Sequence, residues 1–193
     1  MIIEVNLDAK TSPEDLRLSL CAANVGYRGF GTRKEGQRGK PRRRELSGSC
    51  NIDVVCDEGD DWRDEISSVA AYSLGGSLFC TGAMINNARQ DGKPYFLTAH
   101  HCGVTSSNAA SLVVYWNYET STCGDTPDGV RDKFTSGATF KATSSVTDFT
   151  LVELDSKPDA AWGVNYAGWD RSGADASSAV AIHHPSVDEK RIS

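Results

Sequence analysis

Tyr95-Phe96-Leu97-Thr98-Ala99-His100-His101-Cys102-Gly103 sets a short apolar run against a turn of two His, a Cys and a Gly. The run reads as a strand that ends in a tight turn. The same grammar recurs on both sides. Upstream, residues 67–74 and 77–85 flank Gly75-Gly76, a two-residue hairpin signal. Downstream, residues 112–118 are rich in Val, Tyr and Trp, residues 138–143 and 149–154 alternate, and residues 180–183 form a further short run. No long helical stripe separates these segments. From Ser47 onward the chain therefore reads as all-β, a barrel or a sandwich of short strands at turn-rich intervals.

The chain has 193 residues, 39% of them hydrophobic and 24% charged. That is one domain or two small halves of ordinary globular composition, not a disordered, collagenous or multi-span membrane chain. The net charge of −6 hides an asymmetry. Residues 1–46 hold ten Lys/Arg and six Asp/Glu, hence +4; residues 47–193 hold ten and twenty, hence −10. The acidic body argues against a nucleic-acid partner, because phosphate binding draws on clustered cations. Two long stretches lack charge, 66–88 and 94–118, but Ser, Thr, Asn and Gly break both, so neither reads as a membrane span. No secretory signal opens the chain: Glu4 stands where a basic segment belongs and no apolar run follows.

Residues 1–46 read as a mobile leader. Thr11-Ser12-Pro13-Glu14-Asp15 resembles a helix start ahead of Leu16, Leu18 and Leu20. Residues 28–44 carry Arg28, Arg33, Lys34, Arg38, Lys40, Arg42, Arg43 and Arg44 with Glu35 as their only acid, and so bury little apolar surface. A pro-segment with basic cleavage points, a solvated tail and a nucleic-acid arm are the readings of such a segment, the last disfavoured by the acidic body.

The six cysteines are Cys21, Cys50, Cys56, Cys80, Cys102 and Cys123. None forms a CxxC pair, and spacing alone does not choose among the pairings. A disulfide framework, and with it an oxidising compartment, is the better reading for an all-β body.

His101 carries the clearest chemistry. An imidazole at a strand end, in a turn pinned by a cysteine, is placed to act as a general base. Such a base needs a carboxylate on its other ring nitrogen to set tautomer and orientation. Asp148, at the head of Phe149-Thr150-Leu151-Val152-Glu153-Leu154, is the candidate, 47 residues downstream. A rival reading groups His100, His101, Cys102, His183 and His184 as zinc ligands, the right atom types for that ion. Adjacent His on a strand face opposite ways, however, and no His-x-His or HExxH spacing occurs.

Thr-Ala-x-His-Cys at 98–102, taken with Asp-hydrophobe-x-Leu-hydrophobe-x-Leu at 148–154, resembles the chymotrypsin-type serine proteases. Longer strings narrow the resemblance to the bacterial lysyl endopeptidases, secreted enzymes that cleave after lysine. They are Ser47-Gly48-Ser49-Cys50-Asn51-Ile52-Asp53-Val54-Val55-Cys56, the 95–103 stretch, Val113-Val114-Tyr115-Trp116-Asn117-Tyr118 and Ile182-His183-His184-Pro185. The resemblance runs from about Ser47 to Ser193. It implies a double β-barrel with the first barrel complete over 47–155 and the second only begun over 156–193. It implies His101 as the base and Asp148 as its orienting carboxylate; His100, its neighbour, reads as packing or as supporting the base from behind. It implies Cys56–Cys123 and Cys80–Cys102 bridges, each contributing roughly 3–4 kcal/mol by loop entropy. It implies a distant partner for Cys50 and none for Cys21. No cofactor and no metal are implied, and the partner is a polypeptide substrate met by a monomer outside the cell.

The Gly-x-Ser-Gly turn that holds the nucleophile in that family does not occur between residues 1 and 193. The chain therefore reads as an N-terminal fragment with base and orienter but no nucleophilic Ser, inactive alone. An inactive protease-like binding module is the alternative. His183 and His184 read as a structural turn, and Trp116 and Tyr118 as packing. Without a second barrel, residues 156–193 are expected to dock loosely.

Overall fold

The computed structural model describes residues 50–76, 78–124 and 127–193, with backbone alone for Leu78 and Phe79. The leader over 1–46, its helix signal and Cys21 lie outside these residues. The elements in chain order are β1 (Ile52–Asp53), α1 (Arg63–Ser68), β2 (Val69–Leu74), β3 (Leu78–Ile85), β4 (Tyr95–Thr98), β5 (Val113–Tyr115), β6 (Phe134–Ser136), β7 (Ala138–Ser144), β8 (Phe149–Leu154), β9 (Ile182–His183) and β10 (Arg191–Ile192). The architecture is all-β and chymotrypsin-like, with one short α-helix and several 3-10 turns among the described residues.

Seven strands form one antiparallel sheet in the order β6-β5-β2-β3-β4-β8-β7. Its two outermost strands are consecutive in the chain, with only Gly137 between them. The Gly137 N–H donates to Leu112 O at 2.8 Å, and its carbonyl accepts from Asp155 N at 3.1 Å. One bent strand thus pairs with β5 at one end and β8 at the other, which closes the sheet into a barrel and removes its edges. Gly137 makes the bend at φ +84°, and a Cβ there would lie 2.2 Å from Asp155 Oδ2. Gly137→Ala is expected to destabilise the fold by roughly 1–3 kcal/mol, chiefly through backbone strain, read as a lower urea midpoint.

The barrel core is built around Tyr72, Phe96 and Trp116, all fully buried. Phe96 meets Tyr72 edge-on at 5.8 Å and Trp116 edge-on at 6.0 Å. The two polar tips in this core are both satisfied, as burial of aromatic N–H and O–H requires. Trp116 Nε1 donates to Thr135 Oγ1, and Tyr72 OH lies 2.9 Å from Thr98 Oγ1, which donates to Thr81 O. Burial pushes the Tyr72 phenol up to about 12. β2 is buried along its whole length. That explains why Val69-Ala70-Ala71-Tyr72-Ser73-Leu74 does not alternate cleanly.

Local departures from the sequence expectation have local causes. The hairpin between β2 and β3 pairs Leu74 with Leu78, so its loop holds three residues rather than two. Ser67 and Ser68 end α1 instead of opening β2, their hydroxyls donating to Asp64 O and Glu65 O three residues back. Asp64 and Glu65 in the first turn and buried Ile66 support a helix too short to leave a periodic stripe.

The larger departure concerns residues 156–193, expected to dock loosely. Trp162, Val164 and Tyr166 pack on the barrel core, and Ala167 exchanges backbone hydrogen bonds with Met84 and Asn86. β10 lies between β1 and β9, with Ile192 opposite both Ile52 and Ile182. Asp188, Glu189, Lys190 and Arg191, four charges in a row, are buried. Glu189, Lys190 and Arg191 find close partners, whereas neither Asp188 carboxylate oxygen accepts a hydrogen bond and its charge is met only by Arg191. Arg191 pairs with Asp53 and lies 3.6 Å from Asp188 and 3.8 Å from Glu189. Glu189 accepts from Thr120 Oγ1 and Gly129 N. Lys190 Nζ donates to Ile66 O at 2.9 Å and Glu119 at 3.1 Å.

Two disulfides brace this frame, Cys80–Cys102 and Cys56–Cys123. Cys50 is exposed and free among the described residues.

Candidate active site

β4 ends at Thr98, and residues 100–102 make a single 3-10 turn. Gly103 closes it in the left-handed region at φ +77°, its N–H donating to His100 O at 3.0 Å. Glycine enters that conformation without a Cβ penalty. The disulfide from Cys102 to Cys80 anchors the turn on β3. His100 and His101 therefore sit on a turn rather than on the strand.

Across the rim, β7 and β8 are joined by residues 145–148, and Asp148 is the last of them at φ +49°. Asp accepts this conformation better than most side chains. Asp148 thus precedes β8 instead of opening it as a strand residue. β4 and β8 are neighbours in register, Thr98 opposite Thr150, which brings the two turns together.

The contact between them has three parts. His101 Nδ1 lies 2.7 Å from Asp148 Oδ2. The His101 backbone N–H donates to Asp148 Oδ1 at 3.0 Å. The His100 backbone N–H donates to the Asp148 carbonyl at 3.2 Å. A carboxylate on Nδ1 holds the proton there and leaves Nε2 with its lone pair. The His101 ring, with its side chain 72% exposed, offers that lone pair to solvent. The hydrogen bonds from the His101 ring and then its N–H hold the Asp148 carboxyl below the usual carboxylate range, with the charges of His101 and His100 adding to this. Among the described residues no serine hydroxyl bonds to His101.

The structure does not assemble the rival ligand set. Cys102 is spent in its disulfide, and among the described residues no three His, Cys, Asp or Glu side chains are arranged to hold a metal ion. His184 is buried and stacked on Tyr118, nearly coplanar at 5.7 Å. Its Nδ1–H donates to Asp188 O at 3.0 Å, across the 3-10 turn of Pro185–Val187. Burial first, and then the positive charge of Lys190, pushes the imidazole down to about 3.

That shift predicts an acid response. The folded imidazole stays neutral while the unfolded one takes a proton near its ordinary value of about 6.5. The stability it contributes is complete above about pH 6.5 and is lost as pH falls toward about 3, at up to about 1.4 kcal/mol per pH unit. Urea midpoints taken between about pH 6 and pH 4 should fall steeply for the native chain. The slope should flatten in His184→Gln, which cannot titrate; an unchanged slope would refute the assignment.

A closed all-β barrel of chymotrypsin-like type, bearing a histidine whose Nδ1 is held by a carboxylate from the neighbouring turn, defines the class. Within it the chain belongs to the lysyl endopeptidase family. The family's C-terminal domain, described as "Lysyl endopeptidase, C-terminal domain", matches residues 45–193. The lysyl endopeptidase of Pseudomonas aeruginosa is 32% identical over 214 residues, an alignment that takes in 100% of this chain and 43% of that protein. The chain thus spans less than half the length of that relative. No described helix is long and apolar enough to cross a membrane.

One residue at the site, Thr143, which receives His100, leaves no local signature, and away from the site neither does the burial of the charges of residues 188–191. Both depend on partners from distant parts of the chain.

Proposed function

We propose that this chain supplies the general base and its orienting carboxylate to a secreted serine endopeptidase that cleaves peptides after lysine. The observation that supports this most directly is the double hydrogen bond of His101 to the Asp148 carboxylate, through Nδ1 and the backbone N–H. In this reading a serine beyond residue 193 gives its proton to His101 Nε2 as its oxygen bonds to the peptide carbonyl. Asp148 stabilises the imidazolium that forms, and His101 then returns the proton to the departing amine. Backbone amides of the second barrel take the oxyanion. Residues 1–46 are a basic leader, a pro-segment or a tail, 47–155 the first barrel and 156–193 a linker and the beginning of the second. The substrate is a polypeptide, the enzyme works as a monomer, and neither cofactor nor metal takes part.

The test joins residues 1–193 to the part of the Pseudomonas protein that follows the matched stretch. The chimera should hydrolyse lysyl peptides and be silenced by a serine-directed phosphonate. The 193-residue chain alone should show no turnover. Activity of the chain alone, removed by the phosphonate, would sink the reading.

A further inference from the structure

His100 stands beside the base, and its own ring is not idle. Its Nδ1 lies 2.9 Å from Thr143 Oγ1 in β7. The Thr143 hydroxyl has one proton, and it donates that proton to Phe149 O at 2.9 Å. Thr150 Oγ1, 2.7 Å from Thr143 Oγ1, supplies its own proton to that contact. Thr143 can then meet His100 only as an acceptor, so His100 Nδ1 carries a hydrogen and donates it.

The consequence is geometric. Thr143 and Thr150 face each other across β7 and β8, one pair back from the turn that carries Asp148. His100 grips this hairpin twice, with its ring on Thr143 and its backbone N–H on the Asp148 carbonyl. His101, one residue on, holds the same aspartate by its carboxylate. The 3-10 turn of His100–Cys102 is itself fixed to β3 by the Cys80–Cys102 bridge. Asp148 is thus held at both its carbonyl and its carboxylate by the neighbouring turn.

We infer that His100 is a positioning residue whose ring, through Thr143, sets the Asp148 turn at hydrogen-bonding distance from His101. The inference rests on the His101–Asp148 pairing proposed above. In His100→Asn the side-chain N–H can stand where Nδ1–H stood; in His100→Ala nothing can. Thr143→Ser keeps the accepting hydroxyl and Thr143→Val removes it.

The experiment is carbon-13 NMR of the Asp148 carboxyl in the full 193-residue chain, followed through an acid titration. His100→Ala and Thr143→Val should raise the Asp148 midpoint by about 0.5 pH unit, toward the free carboxylate value. Thr143→Ser should leave it near that of the parent chain, and His100→Asn should raise it less than His100→Ala, by the part that the lost His100 charge contributes. The downfield Nδ1 proton of His101 should broaden in the first pair and persist in the second. His101→Ala is the separate arm: if it does not raise the Asp148 midpoint, the pairing itself fails, whatever the His100 variants do. If it does raise the midpoint and His100→Ala does not, the positioning role is overturned. Equal shifts in His100→Ala and His100→Asn overturn it too, since loss of the His100 charge alone would then account for both. Should His100→Ala not fold, Thr143→Val against Thr143→Ser decides the same question.

Discussion

In the chimeric protease, His101→Ala is expected to lower kcat by roughly 10^6-fold, about the loss seen when a triad base is removed from an enzyme of this chemistry. Asp148→Asn should cost roughly 10^4-fold. The difference has a structural origin. Without the ring at 101 nothing removes the nucleophile's proton. With Asn at 148 the ring remains, but an amide can donate to Nδ1, which puts the ring proton on Nε2, the atom that must accept. KM should change little in either variant, because both groups act on the reacting proton. Peptide hydrolysis at saturating substrate measures both. The rank order is the decisive reading: Asp148→Asn at or below His101→Ala would mean that Asp148 does more than orient the ring.

Arg191→Met should destabilise the chain by about 3–5 kcal/mol, the loss expected when one member of a buried ion cluster is removed. Asp53, Asp188 and Glu189 are themselves buried around Arg191, and the substitution leaves their charges uncompensated. That is a large part of the ~5–15 kcal/mol that stabilises a domain. Lys190→Met should behave differently despite a side chain with no exposed surface. Burial pushes the Lys190 ammonium down, against the pull of Glu119, and Glu119 keeps partial access to water. Removing that ammonium relieves its own desolvation and costs the Ile66 carbonyl one of two hydrogen bonds, since that carbonyl also accepts from the Val69 N–H. The expected loss is about 1–2 kcal/mol. Urea unfolding of the two variants separates these cases; equal losses would show that the cluster does not behave as one network.

Much of the barrel was legible because its elements are local patterns. Residues 149–154 alternate and become β8 with the same bounds. The apolar run at 95–99 becomes β4 over Tyr95–Thr98, and Gly75-Gly76 lies in the turn between β2 and β3. β6, at three residues, and β1 and β10, at two each, were not legible, since pieces so short carry no period. β10 was hidden further by its charges. A run of Asp, Glu, Lys and Arg reads as solvated surface until its counter-charges are known, and Asp53 lies far away in the chain.

The site divides along the same line. Residue types and their order marked His101 and Asp148, because a base needs a carboxylate and the strings around them carry a family resemblance. That chemistry was a property of the sequence. The distances belonged to the tertiary structure alone. Antiparallel pairing of β4 with β8 brings together residues 47 positions apart. The left-handed backbone of Asp148, the grip of His100 on Thr143 and the burial of Arg191 against Asp53 likewise exist only once the barrel has closed. The physical reason is common to all of them. A side chain's type is inherited along the chain, whereas its partner, its burial and hence its protonation are set by groups that only the fold makes neighbours.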